Sequence, residues 1–566
     1  MTSQIHKTLL SLPLLALPIL LGSARPDAGP AQDPAWLPFR HSTLCARCHD
    51  NTDTARAMRD EQGKGIAPYD LWRSSMMANS ARDPFWRAAV AREVENTPSA
   101  KKAIEAKCMR CHSPMANPAH GDRKHDLTMS LLSEVSDRAT IALDGVSCTV
   151  CHTIREEGLG TESSYSGMFE VDRERRLFGP HATPFINPMR RFTGLTATES
   201  KHIVESRLCA TCHTLETHAL DPEGKPTGSV HQEQSPYREW RNSAFSTEVD
   251  KPGPLAASCQ DCHVPTTSEA GKTLETRIAH NPMGRDFNMS GRSPFGRHIF
   301  VGGNSLMPSI LRDNPSLHAK APRAAFDATI AAVRDQLRHR TAVVKIGEPV
   351  WKDSRLRFSI SIENLAGHKF PSAYPSRRAW LRIRVVDEDG KTCFESGNWN
   401  AEGFLTDDEG KVLASELAGG PIQEHHRTIT RSDQVQIFEA IMKDDRGDNT
   451  WLLMRAAGYA KDNRILPKGW SPEHGEAKKT APAGVGDDED FVGGGDRIHV
   501  DLQIEGHRTP REIQVDLVYQ SQGGRYLSEF MTAKNEQVRF YEEIWKASDR
   551  RPDLVGREKR LLDQER

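Results

Sequence analysis

Five pentapeptides repeat one pattern: Cys45-Ala-Arg-Cys48-His49, Cys108-Met-Arg-Cys111-His112, Cys148-Thr-Val-Cys151-His152, Cys209-Ala-Thr-Cys212-His213 and Cys259-Gln-Asp-Cys262-His263. Two thiols three positions apart can bond the two vinyl groups of one porphyrin, while the histidine that follows sets a ring nitrogen under the iron. That is the chemistry of covalently attached c-type haem. Paired cysteines also serve zinc, but zinc sites want two pairs close in sequence. These copies begin 63, 40, 61 and 50 residues apart, and each ends in histidine. Five haem c groups are therefore expected, with His49, His112, His152, His213 and His263 as proximal ligands. Ten of the eleven cysteines are consumed.

What each iron can do depends on its sixth ligand, because two strong axial ligands make an electron relay and an open iron can bind substrate. His298, in Phe295-Gly-Arg-His298-Ile-Phe300, and His181, in Phe178-Gly-Pro-His181, have glycine-bearing settings that admit a flat ring. His280, His120, His125 and His41 are further candidates. Met76 or Met77 could offer a thioether, with Met77 the preferred position, which would raise the potential of that haem. His368, in Gly367-His368-Lys369-Phe370-Pro371, could cap a haem from the C-terminal region, with Lys369 or Arg377 and Arg378 meeting a propionate.

These ligands need elements to hold them. Residues 35–340 carry every motif and read as short helices and loops, such as Asp83–Asn96 and Ala324–Arg340. Pro68-Tyr69-Asp-Leu-Trp72-Arg73 is echoed by Pro236-Tyr237-Arg-Glu-Trp240-Arg241. The pair reads either as porphyrin-edge packing, with Arg73 or Arg241 on a propionate, or as a helix start opened by proline over core aromatics. From residue 342 the period becomes two: Leu356–Ile362, Trp380–Val386, Val435–Phe438, Trp451–Met454, Ile498–Leu502 and Ile513–Tyr519 alternate as strands, predicting an antiparallel β-sandwich over 342–540. Cys393 reads as filler at a strand start. The loop Ser471–Gly495 carries Asp487-Asp-Glu-Asp490 without calcium-ligand spacing and reads as solvated. Residues 541–566 read as a charged surface helix and loose tail.

Residues 1–24 have the pattern of a secretory signal peptide: Lys7, the apolar run Leu9–Leu21 and the small residues Gly22-Ser23-Ala24. Pro13 and Pro18 interrupt that run, which argues against an uncleaved anchor. Export suits covalent haem, so a periplasmic or secreted protein without a transmembrane segment is expected. A formal net charge of -2 offers no basic face for nucleic acid. Only 37 % of residues are apolar, a shortfall that porphyrin faces would make up.

Several of these stretches resemble periplasmic multihaem cytochromes c related to the tetrahaem cytochrome of ammonia oxidisers. The likeness rests on Asp144-Gly-Val146-Ser-Cys148-Thr-Val-Cys151-His152, His213-Thr-Leu, Ser258-Cys259-Gln-Asp-Cys262-His263-Val-Pro265 and Arg297-His298-Ile-Phe-Val-Gly-Gly303-Asn304. The Gly367–Ser372 segment with Tyr374-Pro-Ser-Arg-Arg378 resembles a C-terminal module attached to such cytochromes. The resemblance implies mostly bis-histidine haems and carries His298 over as a distal ligand. The leading reading is electron transfer with periplasmic or membrane-bound redox proteins, the β region serving docking or oligomer contacts. A multihaem oxidoreductase acting on a small nitrogen or sulfur compound at one open haem is the alternative, with Arg73, Lys107 and His125 as possible donors. A polymer of stacked haems is a third reading.

Overall fold

The computed structural model describes residues 38–117, 126–504 and 509–562. The expected signal peptide, His120 and His125 lie outside them. Every pentapeptide forms part of a short helix: α1 (Ser42–His49), α4 (Lys101–His112), α5 (Cys148–Thr153), α6 (Ser206–His213) and α8 (Cys259–His263). On a helix, positions i, i+3 and i+4 share a face, so each winding brings its two thiols and its imidazole to one side. All but α5 end on the motif histidine. α8 is fixed by a capping box between Ser258 and Asp261, and the His41 ring caps α1 by accepting from the Thr43 N–H.

The echoed segments are the helices α2 (Pro68–Trp72) and α7 (Pro236–Arg241), each with proline in its first turn. The helix-start reading holds, and the arginines are taken by carboxylates: Arg73 bonds Asp70 at 2.6 Å and Arg241 bonds Glu476 at 2.7 Å. The two copies also share a task. Trp72 Nε1 donates to the Val146 carbonyl and Trp240 Nε1 to that of Ala257, both at 2.9 Å. Each acceptor lies two residues before the first cysteine of a motif.

Asp83 caps α3 (Pro84–Asn96) by accepting from the Phe85 and Trp86 amides. The expected helix near Ala324–Arg340 is α9 (Arg323–Arg340). Apolar side chains of the motif region gather in several small clusters rather than one core.

The β-rich region begins at β5 (Ala342–Ile346); before it lie the parallel pair β1 (Arg176–Gly179) and β2 (Thr196–Glu199) and the hairpin β3 (Leu215–Leu220) and β4 (Pro226–Gln234). One sheet runs β10 (Thr428–Ile429), β14 (Gly495–Gln503), β7 (Arg355–Asn364), β5, with β6 (Val350–Lys352) also on β7. The other runs β12 (Asn449–Thr450), β11 (Ile437–Lys443), β8 (Arg378–Asp387), β15 (Pro510–Gln520), β16 (Asp553–Leu561), with β9 (Thr392–Ser396) on β8 and β13 (Gly458–Asp462) on β11. Pairing is antiparallel except between β10 and β14. Alternation fixes the buried face: Phe358, Ile360 and Ile362 of β7 share one core with Ile383 and Val385 of β8 and Ile513, Val515 and Leu517 of β15. Cys393, half-buried on β9, packs against that core.

Three expectations need correction. Trp451–Met454 is not a strand: the Leu453 and Met454 amides donate to the Glu93 carboxylate of α3, at 2.7 and 3.2 Å, instead of to a ladder. Residues 541–562 are not a loose tail. Helix α11 (Glu536–Lys546), which follows α10 (Gly524–Phe530), buries Val538, Tyr541, Ile544 and Trp545, and β16 pairs along β15. In the helix, charged residues are interspersed with the apolar ones that seat it. Finally, Ser471–Gly495 is not uniformly solvated, because Glu476 is buried on Arg238 at 2.7 Å and Asp488 is buried on His425 at 3.0 Å.

Helix α3 ties the two regions together. Its Phe85 ring lies 5.1 Å from Phe530 and 5.3 Å from Tyr541, while Arg92 donates to the Trp451 and Glu529 carbonyls. No helix among the described residues is long and apolar enough to cross a membrane.

Candidate haem sites

Hydrogen bonds sort the histidines by the proton they carry. Facing a carbonyl oxygen, a ring nitrogen must hold the proton, and the other then keeps the lone pair that a metal needs. Four motif histidines turn Nδ1 to such an oxygen: His49 to Ile278 at 2.9 Å, His112 to Ser80 at 3.1 Å, His152 to Phe178 at 2.6 Å and His263 to Val301 at 2.8 Å. The acceptors come from distant parts of the chain, so the fold sets each ring. Burial also keeps the rings neutral, pushing His112 and His213 down to about 4. The His112 ring is stacked on Trp86, centroids 4.4 Å apart.

Among the sixth-ligand candidates, His298 has the same form, with Nδ1 donating to Gly296 O at 3.0 Å. Its ring centroid lies 6.4 Å from that of His152, the planes inclined by 22°. Two imidazoles bound to one metal from opposite sides, each with a bond of about 2 Å, stand roughly 6 Å apart between centroids. His368 also donates Nδ1 to a carbonyl, that of Lys369, at 3.0 Å. It lies within electrostatic reach of His213 and His263. Gly367 permits this approach, since a Cβ there would meet Trp240 at 3.0 Å and Phe245 at 3.2 Å.

Other candidates are differently occupied. His280 faces only acceptors, with Asn281 O at 2.7 Å from Nδ1 and Asp50 Oδ1 at 2.7 Å from Nε2. His41 accepts at Nδ1 from Thr43, which puts its proton on Nε2, 3.3 Å from Asp144. In this arrangement both nitrogens of His280 face protein oxygens, and His41 Nδ1 is taken by the Thr43 amide. His181 is half-buried in the loop after β1, beside Arg292. Met76 packs against the apolar cluster that includes Phe326, Phe530 and Tyr541, and Met77, half-buried, accepts at its carbonyl from the Val146 amide just before the third motif. Lys369 and Arg378 are not available to propionates, being paired with buried Asp462 and Glu416 at 2.6 Å each. Lys107 donates to Glu216 O at 2.6 Å.

His231 of β4 drew no special notice in the sequence. It is 1 % exposed, with both ring nitrogens lacking partners and its ring 4.7 Å from Tyr459. Alternation along β4 was its only signal, and a lone inward histidine is too common to interpret.

The motifs lie close together. The thiols of Cys111 and Cys212 are neighbours, as are those of Cys209 and Cys259. Burial first, then Cys212 and Cys148, pushes the Cys151 thiol up to about 12. His49 and His152 are likewise within electrostatic reach. The fourth motif thus has the second, third and fifth beside it, and the first adjoins the third. Asp144 staples that last pair: it accepts from the Ser42 amide at 2.9 Å and hydroxyl at 2.7 Å, and pairs with Lys320. Burial alone would raise its carboxyl, but Lys320 and His41 hold it well below the usual carboxylate range.

The residues present fit haem c. No described cysteine is in a disulfide, four motif histidines spend Nδ1 on a carbonyl and keep Nε2, and buried polar atoms without partners flank the motifs at Ser113 Oγ, Thr214 Oγ1 and Gln260 Oε1.

Residues 44–153 match the family described as cytochrome c554 and c-prime. A penta-haem cytochrome c552 from Thermochromatium tepidum superposes with a TM-score of 0.50 at 16 % identity, covering 92 % of this chain and 98 % of that one. The fold is multihaem cytochrome c-like. No curated protein matches the sequence. The structural likeness spans more than the motif region, so the β-rich part belongs to the shared architecture.

Proposed function

We propose that this chain is a periplasmic electron-transfer protein carrying five covalently bound haem c groups, held by the ten motif cysteines and by His49, His112, His152, His213 and His263. One observation carries the reading: four motif imidazoles are fixed through Nδ1 to backbone carbonyls, which leaves Nε2 for iron. The penta-haem neighbour supports the count. The pattern of residues 1–24 supports export. Haem supplies one-electron chemistry; the chain's part is to fix ring orientation, keep the imidazoles neutral and crowd the sites so that electrons pass between them.

His298 and His152 would hold the same iron between them, supported by their 6.4 Å separation. His368 serves the fourth or fifth motif, and His231 is a further ligand candidate. Haems with two histidines are relays rather than substrate sites, and partners are redox proteins that dock near an exposed motif. Mass spectrometry of the purified protein is expected to give the processed chain plus five haems, and low-temperature EPR mainly low-spin iron. The bare polypeptide mass would overturn haem attachment. A high-spin signal that changes with nitrite or hydroxylamine would overturn the pure relay.

A further inference from the structure

Far from the cysteines in sequence, the β-rich region buries two carboxylates against each other. Asp496 is the second residue of β14, and Asp488 lies in the preceding loop; both side chains are 0 % exposed. His425, before β10, completes the cluster, with Nε2 3.0 Å from Asp488 Oδ2 and 4.0 Å from Asp496 Oδ2. Asp488 is served: its Oδ1 accepts from the Asp490 amide at 2.9 Å and faces Arg427 Nε at 3.4 Å. Asp496 is not. Neither of its oxygens makes a hydrogen bond of ordinary geometry, although the nearby Arg497 amide favours the anion. A buried carboxylate without partners costs several kcal/mol, and a second carboxylate beside it adds repulsion. Burial and Asp488 push the Asp496 carboxyl up to about 7.

The imidazole is not free to be a ligand. Gln436 Nε2 and Asn463 Nδ2 approach His425 Nδ1 at 2.9 and 3.1 Å. Both amides are locked in that orientation, since Gln436 Oε1 accepts from the His426 amide at 2.7 Å and Asn463 Oδ1 from the Glu439 amide at 3.0 Å. Two donors make Nδ1 an acceptor, so Nε2 carries the proton and donates to Asp488. This is the reverse of the form found at the motif histidines. The donor set is therefore oxygen only, which suits hard cations and not zinc.

We propose that Asp488 and Asp496 bind one hard divalent cation, calcium or magnesium, and that His425 orients Asp488 from the second sphere. A dication makes the pair neutral and gives the Asp496 oxygens a partner. It also pins the segment between Ser471 and Gly495 to β14.

The test uses the haem-loaded protein. After chelation and dialysis against calcium, magnesium or zinc, elemental analysis is expected to find one calcium or magnesium per chain in addition to iron, and thermal unfolding to shift upward with that ion. The ion giving the larger shift names the occupant. Asp496→Asn and Asp488→Asn should abolish uptake and the shift while the haem spectrum stays unchanged. His425→Ala should weaken binding by about 10- to 100-fold without abolishing it. The wild-type titration decides even if a variant misfolds. Absence of calcium or magnesium uptake with no thermal shift overturns the site. Preferential zinc uptake that depends on His425 overturns the oxygen-only assignment.

Discussion

A neutral imidazole has one proton and one lone pair, and its nearest backbone atom decides which nitrogen gets which. That choice divides the histidines here more sharply than their sequence settings do. His298 and His280 both lie in glycine- and proline-containing stretches, yet one faces a single carbonyl and the other only acceptors at both nitrogens. The proposed proximal ligands were legible because thioether chemistry ties them to cysteine spacing. The proposed distal ones were not, because the fold, not the local sequence, brings His298 beside His152. Substituting His298→Ala should turn one low-spin iron high-spin in EPR while mass spectrometry still counts five haems; an unchanged spectrum would remove His298 as a ligand. The tryptophan pair makes a second prediction at this scale. Trp72→Phe or Trp240→Phe leaves the Val146 or Ala257 carbonyl without its donor, and each should lower unfolding free energy by about 1–3 kcal/mol in denaturant titration.

Among the elements, those with a strong period were readable. Helices α3 and α9 and strands β7, β8, β14 and β15 stand where alternation or amphipathicity put them. Trp451–Met454 and the C-terminal segment were misread because their partners, Glu93 and β15, are far away in sequence. Asp144 shows how such long-range partners set stability. Its carboxyl is held below its unfolded value, near 4, so its contribution is complete above that pH and disappears as pH falls further. Lys320 is itself lowered because burial outweighs the attraction of Asp144, so the acidic limb is the one to measure. Asp144→Asn should cost about 3–5 kcal/mol near neutrality. The difference in Tm from wild type should shrink below about pH 4, whereas a gap independent of pH would exclude the ion pair as its source.

Across the whole molecule, the motifs form a branched arrangement with the fourth at its centre, which spacing along the chain could not disclose. Cys212 adjoins Cys111, and Cys209 adjoins Cys259. Under the proposed function, a Cys209→Ser, Cys212→Ser protein that still carries the other haems should split single-phase reduction by a fast donor into fast and slow phases in stopped-flow absorbance. One unchanged phase would mean the electrons bypass that centre. The same crowding bears on how the molecule is made. Helix α11 and strand β16 close against α3 and β15, and burial inside the folded chain pushes the Cys108 and Cys151 thiols up, away from their reactive anions. Under the proposed function, ligation of porphyrin is favoured while the chain is still open.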